Sequence, residues 1–396
     1  MIESTRANEG PTHWFASANC DRLTEPDKLP SSAEVVVIGG GVMGVATTYW
    51  LSRSGLAVVA LEGRCFGWGA SGRNAGFMLC STSGLQDVTL IQQVLTTEGI
   101  EAEFETPGHL ALTTSPKVLD AMTQELAGRT PSAQPLYVLD HRACEDVMKL
   151  RISPDFLGGR WLPGGGTIHP VKFVYGLAAA AERRGAMLAQ NTRALQIERN
   201  RRGDLLRVYT DRGRIECRHA VIACNTKSGE LAPGLSSMLT PVRGQVLSTE
   251  PIKRVFNVGL AVDWGTVYWR QTAEGVIVMG GYRGLDRETE TTSNEELNPA
   301  IQSALEGFLP KAFPDIPQIQ VARRWAGIMD ETPDEKPIVG QWPARSQTWV
   351  VAGFGGHGLP PALGATRALA SSIAQGQITT ELDPLSPDRF ATMHHA

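Results

Sequence analysis

The chain of 396 residues lacks several features that would place it in a special class of protein. Its six cysteines form no C-x-x-C motif and its eight histidines do not cluster, so we expect reduced thiols in a cytoplasmic protein and no metal site. No apolar run reaches the length of a membrane span, and the polar N-terminus has no apolar core of a secretory signal. A net charge of −4 gives no basic face for nucleic acid or anionic lipid. Together with ordinary hydrophobic and charged fractions, these absences predict a globular protein that binds neither a membrane nor nucleic acid.

The most informative feature that is present is a glycine-rich turn between two apolar runs. A predicted strand at Val35–Ile38 leads into the G-x-G-x-x-G turn of Gly39, Gly41 and Gly44. A helical pattern follows up to Gly55, then a second strand at Leu56–Leu61, which ends at the acid Glu62. In such a unit the first glycine makes the turn, the second lets the backbone approach a pyrophosphate, and the third lets the helix lie close to the strand. The alternative is a glycine-rich turn without a ligand. The acid in the position of Glu62 accepts from a ribose hydroxyl and disfavours a 2′-phosphate, so the pattern predicts NAD or FAD.

Two further glycine clusters favour a flavin over a nicotinamide. They are Gly67–Phe77 (GWGASGRNAGF) and Val351–Gly358 (VAGFGGHG). FAD is a long ligand that needs backbone contacts at its pyrophosphate and again at its isoalloxazine ring. A glycine turn that leads into a helix N-terminus at the ring's N1–C2=O edge would stabilise the negative charge of the reduced flavin.

With these motifs in view, the sequence resembles the D-amino-acid-oxidase-type FAD oxidoreductases, which include glycine and sarcosine oxidases. Within that family it most resembles the gamma-glutamylputrescine oxidase branch. The resemblance rests on HWFASANC, LEGRCFGWGASGRNAG, IHPVKFVYGLAAAAERRGA, VIACNTKSGELAPGL with PVRGQV, VYWRQTAEGVIVMGG, and RWAGIMDETPDEKPIVG before VAGFGGHG. These stretches cover nearly the whole chain.

The resemblance implies an α/β (α+β overall) fold with a Rossmann-type FAD-binding domain and a discontinuous substrate domain built on a mixed β-sheet. Residues 1–33 would be an N-terminal lead-in, with His13–Phe15 as a small anchor. The FAD-binding domain would comprise residues 34–85, 156–240 and 322–396, and the substrate-binding domain residues 86–155 and 241–321. Apolar periodicity predicts helices at Leu90–Glu105, Lys117–Leu126, Val171–Arg184, Leu297–Leu309 and Ala362–Ala374.

Several positions depart from the relatives. Glycine oxidases carry an arginine after their W-x-G motif that clamps the substrate carboxylate, but here Trp325-Ala326-Gly327-Ile328 is followed by Met329-Asp330. An amine is therefore favoured, or an amino acid held elsewhere by Arg270, Arg283 or Arg323, although each arginine could equally be an ordinary ion-pair residue. No cysteine follows Cys224, and Arg73-Asn74 stands where relatives carry a flavin-linked histidine. Both absences indicate non-covalent FAD.

The expected acceptor of electrons is O2, with H2O2 as product, but this point has alternatives. Sarcosine oxidases hold an oxygen-activating lysine on the strand that corresponds to Gly275–Gly281, where this chain has none. His357 could replace it as the nearby cation or could be an ordinary turn residue. The alternatives are a dehydrogenase that reduces a protein or quinone and a non-catalytic flavin-binding subunit of a complex. The oligomeric state is left open.

These considerations predict two sets of site residues in an FAD-dependent oxidase of a small-molecule amine or amino acid. The catalytic candidates are His357, Tyr268, Trp269, Arg270 and Met329; Tyr268 and Trp269 point to opposite sides of their strand, so only one of them can line an amine pocket. The FAD-binding candidates are Gly39, Gly40, Gly41, Val42, Met43, Gly44, Glu62, Gly63, Arg64, Ala70, Ser71, Arg73, Asn74, Ala75, Gly76, Ala194, Gly327, Gly353, Gly355, Gly356, His357, Gly358 and Leu359.

Overall fold

The computed structural model describes residues 11–18, 23–79, 85–86, 88–129 and 134–390. Cys20, Cys80 and most of the predicted lead-in lie outside these residues, and the four described cysteines form no disulfide. The helices in this part of the chain are α1 (His13–Ser17), α2 (Val42–Arg53), α3 (Val88–Glu98), α4 (Pro116–Ala127), α5 (His141–Met148), α6 (Pro170–Glu182), α7 (Ser228–Leu231), α8 (Arg287–Glu290), α9 (Pro299–Ala312) and α10 (Ala362–Gln375). No helix among the described residues is long and apolar enough to cross a bilayer.

The strands form two large sheets and one small two-stranded sheet, β3-β7. In the first half of the chain they are β1 (Ser32–Ile38), β2 (Val58–Leu61), β3 (Phe77–Met78), β4 (His109–Thr113), β5 (Tyr137–Asp140), β6 (Gly158–Leu162), β7 (Gly166–Thr167), β8 (Met187–Ala189) and β9 (Ala194–Arg199). In the second half they are β10 (Leu206–Thr210), β11 (Gly213–Ile222), β12 (Thr240–Thr249), β13 (Gly259–Val262), β14 (Val267–Gln271), β15 (Ile277–Gly281), β16 (Val321–Glu331), β17 (Ile338–Gln341) and β18 (Thr348–Ala352).

The first sheet has the order β17-β18-β11-β1-β2-β8, with β1 at its centre. The neighbours from β18 to β8 are parallel, and β17 joins the edge antiparallel. Alternate residues of β1 enter different cores, because successive side chains of a strand point to opposite faces. Val35 and Val37 pack under α2, α6 and α10, whereas Val36 and Ile38 pack against the β9–β10 ribbon. The result is the predicted Rossmann-type layer.

The second sheet has the order β16-β12-β15-β14-β13-β4-β6-β5 and is mixed, since β4 and β13 are parallel while the other pairs are antiparallel. One face, with Leu247, Trp269 and Met279, packs against α9. The opposite face, with Val246, Val278 and Trp325, packs toward the first sheet and α1. Side chains on this second face are therefore the ones that can meet a ligand held between the two sheets. The α/β fold with a mixed second sheet is confirmed.

The strand pairing bears on the predicted domain boundaries without deciding them. Strands β6 and β16 belong to the second sheet, although β6 and all of β16 after Val321 lie in segments that we assigned to the FAD-binding domain, 156–240 and 322–396. Helix α3 packs into the core of the first sheet, although residues 86–155 were assigned to the substrate domain. The division into these pieces stays a prediction.

Candidate active site

Two glycines of the turn after β1 are required by the fold itself. Gly39 has a φ of +111°, and a Cβ there would lie 2.3 Å from the carbonyl oxygen of Ala223. A Cβ on Gly44 would lie 1.8 Å from the carbonyl oxygen of Gly39. The positive φ and the close approach exclude a side chain at Gly39, and the close approach alone excludes one at Gly44. The turn therefore lets α2 begin directly above the carboxyl end of β1.

Gly41 is different, because a Cβ there would closely approach one side-chain atom and no backbone atom. Its φ of −71° is ordinary, and a Cβ would meet Ser71 Oγ at 3.2 Å as its closest neighbour. Ser71 Oγ accepts a hydrogen bond from the N–H of Val42, the first residue of α2. A glycine that the fold does not require, at the N-terminus of a helix, fits the close approach of a phosphate group.

Glu62 lies at the end of β2, beside the same turn. Its Oε2 accepts a hydrogen bond of 2.7 Å from the N–H of Gly40, and its Oε1 accepts one of 2.8 Å from the N–H of Arg64. A carboxylate has about four acceptor positions, so these two bonds fix its orientation and leave capacity for a ribose diol. Thr192 donates its N–H to the Glu62 carbonyl oxygen, which brings Arg193, the residue before Ala194 and β9, next to Gly63.

The segment Ala70–Gly76 is held by its own side chains. Asn74 Nδ2 donates to the carbonyl oxygens of Ala70 and Ser71, and Asn74 Oδ1 accepts from the N–H of Gly76. Arg73 is buried and donates to the carbonyl oxygens of Trp68 and Ala326, and burial lowers its pKa. Arg73 therefore fastens this loop to β16, and Asn74 keeps the loop backbone rigid near the turn.

Helix α1 supports the same segment from below. Trp14 is fully buried and donates its Nε1–H to the carbonyl oxygen of Asn74 at 2.6 Å. The predicted anchor at His13–Phe15 thus corresponds to a helix that packs against the predicted cofactor loop.

The catalytic candidates on β14 lie in three different surroundings. Tyr268 is on the face toward the first sheet, and its ring meets the ring of Phe77 edge to face at 6.2 Å. Trp269 is on the other face, buried against Phe256 and Phe313, so it is a core residue and does not reach the cleft between the sheets. Its inclusion among the catalytic candidates is thereby corrected, because strand alternation leaves only Tyr268 on the cleft side.

Arg270 shares the face of Tyr268 but is already engaged. Its Nε and Nη2 donate to the carbonyl oxygens of Ala75 and Ile168, and its guanidinium lies 4.8 Å from the centre of the Trp14 ring. Burial lowers its pKa to about 10. Through these bonds Arg270 holds the loops at Ala75 and Ile168 together.

Three glycines on the same face of the second sheet make room for larger side chains. Met329 lies over Gly244, Tyr268 over Gly280 and Arg73 over Gly327. A Cβ on these glycines would lie 3.2 Å from Met329, 2.7 Å from Tyr268 and 2.9 Å from Arg73, respectively. Their position on one face follows from the register, in which Gly244 pairs with Gly327 and Val246 with Gly280. Met329 and Tyr268 can therefore lie flat along the cleft.

The glycine turn at residues 353–358 joins this cleft to the nucleotide turn. A Cβ on Gly356 would lie 2.6 Å from Met329 Sδ, and one on Gly358 would lie 3.5 Å from Met43 Cε in α2. Helix α10 begins at Ala362 after two prolines. The predicted clusters around Gly41, Met329 and His357 thus come together in one place.

Asp330 is a site residue that sequence reasoning missed. It is buried, its Oδ2 accepts from the N–H of Gly353 at 2.8 Å, and its carbonyl oxygen accepts from the N–H of Gly355 at 2.8 Å. Burial raises the pKa of its carboxyl to about 6. The sequence feature that could have identified Asp330 is an acidic residue in the otherwise apolar stretch after Trp325, next to Met329, where the relatives carry an arginine.

His357 is exposed and donates its N–H to the carbonyl oxygen of Phe354. Desolvation and, to a smaller extent, the charge of Arg283 lower the pKa of its imidazole. Desolvation raises the pKa of Tyr268, and the charge of the same arginine opposes that rise. Arg283 therefore lies close enough to act on both candidates.

Comparison with known proteins agrees with this geometry. Residues 34–372 match the model of the FAD dependent oxidoreductase family called DAO, and the chain belongs to that family. It is 28% identical to probable oxidoreductase OrdL of Rhizobium meliloti (strain 1021), over 94% of this chain and 90% of that protein. It is 27% identical to the B subunit of opine oxidase from Agrobacterium tumefaciens (strain Ach5), over 90% and 97% of the two chains.

A solved structure extends the likeness to the fold. The crystal structure of L-proline dehydrogenase from P. horikoshii superposes with a TM-score of 0.79 at 22% identity, covering 92% of this chain and 99% of that one. The protein is thus an FAD-dependent oxidoreductase by its family and shares the fold of that structure. No group of histidine, cysteine or acidic residues suited to a metal ion occurs among the described residues.

Proposed function

We propose that the protein oxidises a C–N bond of an amine or amino acid. A hydride leaves the carbon next to nitrogen, the nitrogen lone pair forms the imine, a proton passes to solvent, and water hydrolyses the imine. When bound, FAD accepts the hydride. The observation that carries the proposal is that the glycine turn at 353–358 lies against Met329 and near Met43 of α2, on the face of the second sheet that also carries Tyr268.

The residues of this chain would hold the cofactor and shape the pocket. Gly41 leaves space for the pyrophosphate, and Glu62 accepts from the ribose. The segment Ala70–Gly76 and the turn at 353–358 would approach the flavin ring with backbone rather than side chains. The proposal also keeps the remaining predicted FAD contacts, which include Ala194, Gly327 and Leu359.

The substrate would lie between Tyr268 and Met329. An aromatic face attracts an alkylammonium group, and the methionine thioether supplies an adaptable apolar wall that excludes water. The likeness to a protein named for opine oxidation favours an amino acid with a substituted nitrogen over a simple amine. The gamma-glutamylputrescine oxidase branch rests on the sequence stretches alone, and we retain it as a narrower hypothesis.

An anaerobic reduction screen tests the proposal. Holoenzyme would be mixed without oxygen with polyamines, N-alkyl amino acids and D- and L-amino acids, and loss of the oxidised flavin's absorbance at about 450 nm would be followed. We expect bleaching by at least one N-substituted amino acid. A flavin that no member of these classes reduces would favour the non-catalytic subunit.

We propose O2 as the acceptor, with H2O2 as product. A dehydrogenase is the second candidate, because the β15 positions on the face of Tyr268 are Val278 and Gly280, and neither residue supplies a charge. His357 is the nearby titratable group, and its lowered pKa makes it neutral at pH 7 and charged only in acid. Reoxidation of reduced wild-type protein by O2 should therefore quicken below pH 6.5, the ordinary pKa of histidine. A His357→Ala protein should lose that increase, and reoxidation no faster than that of free flavin would favour the dehydrogenase.

A further inference from the structure

Met329 differs from most methionines of the chain in the accessibility of its thioether. The structure describes eight of the ten methionines. Two of the eight, Met187 and Met329, are partly exposed. The other six are at most 8% exposed: Met43, Met78, Met122, Met148, Met238 and Met279. An oxidant reacts first with the sulfur atoms that it can reach, so Met187 and Met329 should be the first of the described methionines to be oxidised.

The two partly exposed methionines lie in different surroundings. Met187 is on β8, the edge strand of the first sheet, and packs against the core on the side of the β9–β10 ribbon. Met329 is on β16, and its sulfur lies against Gly356 of the glycine turn. In the proposed function the substrate lies between Tyr268 and Met329, and O2 receives the electrons in the same cleft. Each molecule of H2O2 would therefore be released next to Met329 and not next to Met187.

The described cysteines compete poorly for peroxide. The thiolate, and not the neutral thiol, is the form that reacts readily. Burial raises the pKa of Cys65, and it raises the pKa of Cys144, Cys217 and Cys224 to about 12. At pH 7 a thiol with that pKa is ionised in about one molecule in 100,000. A thioether needs no ionisation, so Met329 can react where these thiols do not.

The packing of Met329 leaves little space for an additional atom on its sulfur. A Cβ on Gly356 would lie 2.6 Å from Met329 Sδ, and a Cβ on Gly244 would lie 3.2 Å from Met329 Cε. The sulfur and the methyl group therefore lie close against these two glycines. Oxidation converts a flexible apolar side chain into a polar one. A sulfoxide at this position should displace either the side chain of Met329 or the turn that contains Gly356.

We propose that Met329 is an oxidation site at which hydrogen peroxide formed by the reaction slows the enzyme. The proposal rests on the proposed function with O2 as the acceptor. A lone pair of Sδ attacks one oxygen of H2O2, and an S–O bond forms as the O–O bond breaks. The hydroxide that leaves takes the proton of the transferred hydroxyl and becomes water. The sulfur is oxidised by two electrons to the sulfoxide, which replaces an apolar wall of the substrate pocket with a polar group.

Peroxide added to resting holoenzyme tests the site without turnover. FAD-loaded wild type, Met329→Leu and Met187→Leu would be exposed to H2O2 without substrate, and peptide mass spectrometry would give the sulfoxide fraction at each methionine over time. Leucine keeps the apolar bulk and cannot be oxidised. Met187→Leu is the matched control, because it removes the other partly exposed thioether. We expect Met329 and Met187 to be oxidised at least about tenfold faster than Met279, which is fully buried and reacts only from locally opened states.

The effect of the sulfoxide would be measured on the same samples after the peroxide is removed. The two quantities are the Tm and the anaerobic rate of flavin reduction by an amine from the screen above. We expect both to fall in wild type and in Met187→Leu as sulfoxide accumulates at Met329, and to keep their own starting values in Met329→Leu. Methionine sulfoxide reductases for both epimers should restore them. During aerobic turnover the same sulfoxide should form without added peroxide, and catalase should prevent it.

Three results would contradict the proposal. They are a Met329 that stays a thioether while Met187 is converted, an equal fall of Tm and reduction rate in Met329→Leu, and a fall that the reductases do not reverse.

The same measurements separate this proposal from the proposed function. Release of peroxide during turnover without a sulfoxide at Met329 would contradict the oxidation site and leave amine oxidation standing. Reduction of the flavin by an amine without release of peroxide would contradict O2 as the acceptor and, with it, the source of the oxidant. A flavin that no amine reduces, together with a sulfoxide formed at Met329 by added peroxide, would contradict amine oxidation and leave Met329 as an oxidation site.

Discussion

Asp330 is a single residue on which the position of the glycine turn depends. Its carboxylate accepts the N–H of Gly353 and its carbonyl oxygen accepts the N–H of Gly355, so both ends of the bend are tied to β16. A buried carboxyl stays charged only at a cost in desolvation, and its raised pKa of about 6 reports that cost. Because Gly356 lies against Met329 in the same bend, Asp330 positions the turn relative to the catalytic candidates.

The raised pKa gives a prediction for stability against pH. Between pH 4 and pH 6 the folded state binds a proton at Asp330 more readily than the unfolded state does, so the contribution of this group to stability is present at low pH and is lost as pH rises through about 6. For one group the loss is at most about 3 kcal/mol. Asparagine keeps a carbonyl acceptor for Gly353 and cannot ionise. We therefore expect the Tm of Asp330→Asn, measured by thermal unfolding, to exceed that of wild type increasingly from pH 4.5 to pH 7.

Asp330→Ala is the control for the hydrogen bond itself. It removes the acceptor as well as the charge and leaves the N–H of Gly353 without this partner, which costs about 1–3 kcal/mol. Its Tm should therefore lie below that of the asparagine variant at every pH. A Tm difference between Asp330→Asn and wild type that does not change with pH would show that Asp330 is not the titrating group.

Single residues differ in how well the sequence predicted them. Gly39 and Gly44 could be assigned because their motif has a fixed spatial meaning. The alternation of Tyr268 and Trp269 was also evident, but which of them faces the cleft depends on the packing of α9 against one face of the sheet. No local pattern contains that information, since it comes from contacts distant in sequence.

At the scale of elements, the β1–α2–β2 unit uses its glycines for two purposes. Gly44 allows contact between helix and turn within the chain, whereas Gly41 leaves space that the chain itself does not fill. The backbone of Gly41 lies in a region that valine adopts readily. A valine at position 41 and a valine at position 44 should therefore have different effects on the protein.

We expect Gly41→Val to give a folded protein that contains little FAD, and Gly44→Val to give an unstable one. The valine at position 41 occupies space for the pyrophosphate, while a Cβ at position 44 meets the Gly39 carbonyl oxygen at 1.8 Å and costs about 3 kcal/mol or more. FAD content per chain and Tm, compared with wild type stripped of FAD, measure the two effects. Gly307→Ala, in α9 with no atom within 4 Å of its Cβ, is the control that should keep both properties. Full FAD occupancy in Gly41→Val would contradict the placement of the pyrophosphate.

The ends of α3 show where sequence periodicity fails for an element. We predicted a helix at Leu90–Glu105, but α3 ends at Glu98. Gly99 has a φ of +65°, and the N–H of Ile100 bonds back to the carbonyl oxygen of Leu95, which closes the helix. Glu105 then bridges to Thr167, a residue far along the chain. The glycine was a usable signal, whereas the partner of Glu105 was not.

At the scale of the whole molecule, the chain passes repeatedly between the two sheets. Strand β16 begins against α9 and ends beside the glycine turn near α2, so it belongs to the second sheet and yet reaches the cofactor region. The predicted boundary at residue 322 lies at the start of this strand, which serves both regions. Long-range pairing of this kind explains why the order of elements was predictable while the allocation of strands to sheets was not.

The arrangement of the whole chain also predicts that FAD is held without a covalent bond. Attachment needs a nucleophilic side chain near the ring, and the cysteines beside the nucleotide turn are poor candidates. Burial raises the pKa of the Cys65 thiol, and it raises the pKa of Cys224 to about 12. His357 is exposed beside the same cleft and is the residue that could contradict this expectation. Purified protein should therefore be yellow and should release its FAD into the supernatant on acid or heat denaturation, measured by absorbance and chromatography. Colour that stays in the wild-type precipitate but not in the His357→Ala precipitate would show a covalent bond to His357. Colour that stays in both precipitates would show a covalent bond at another residue. Either result would overturn non-covalent binding.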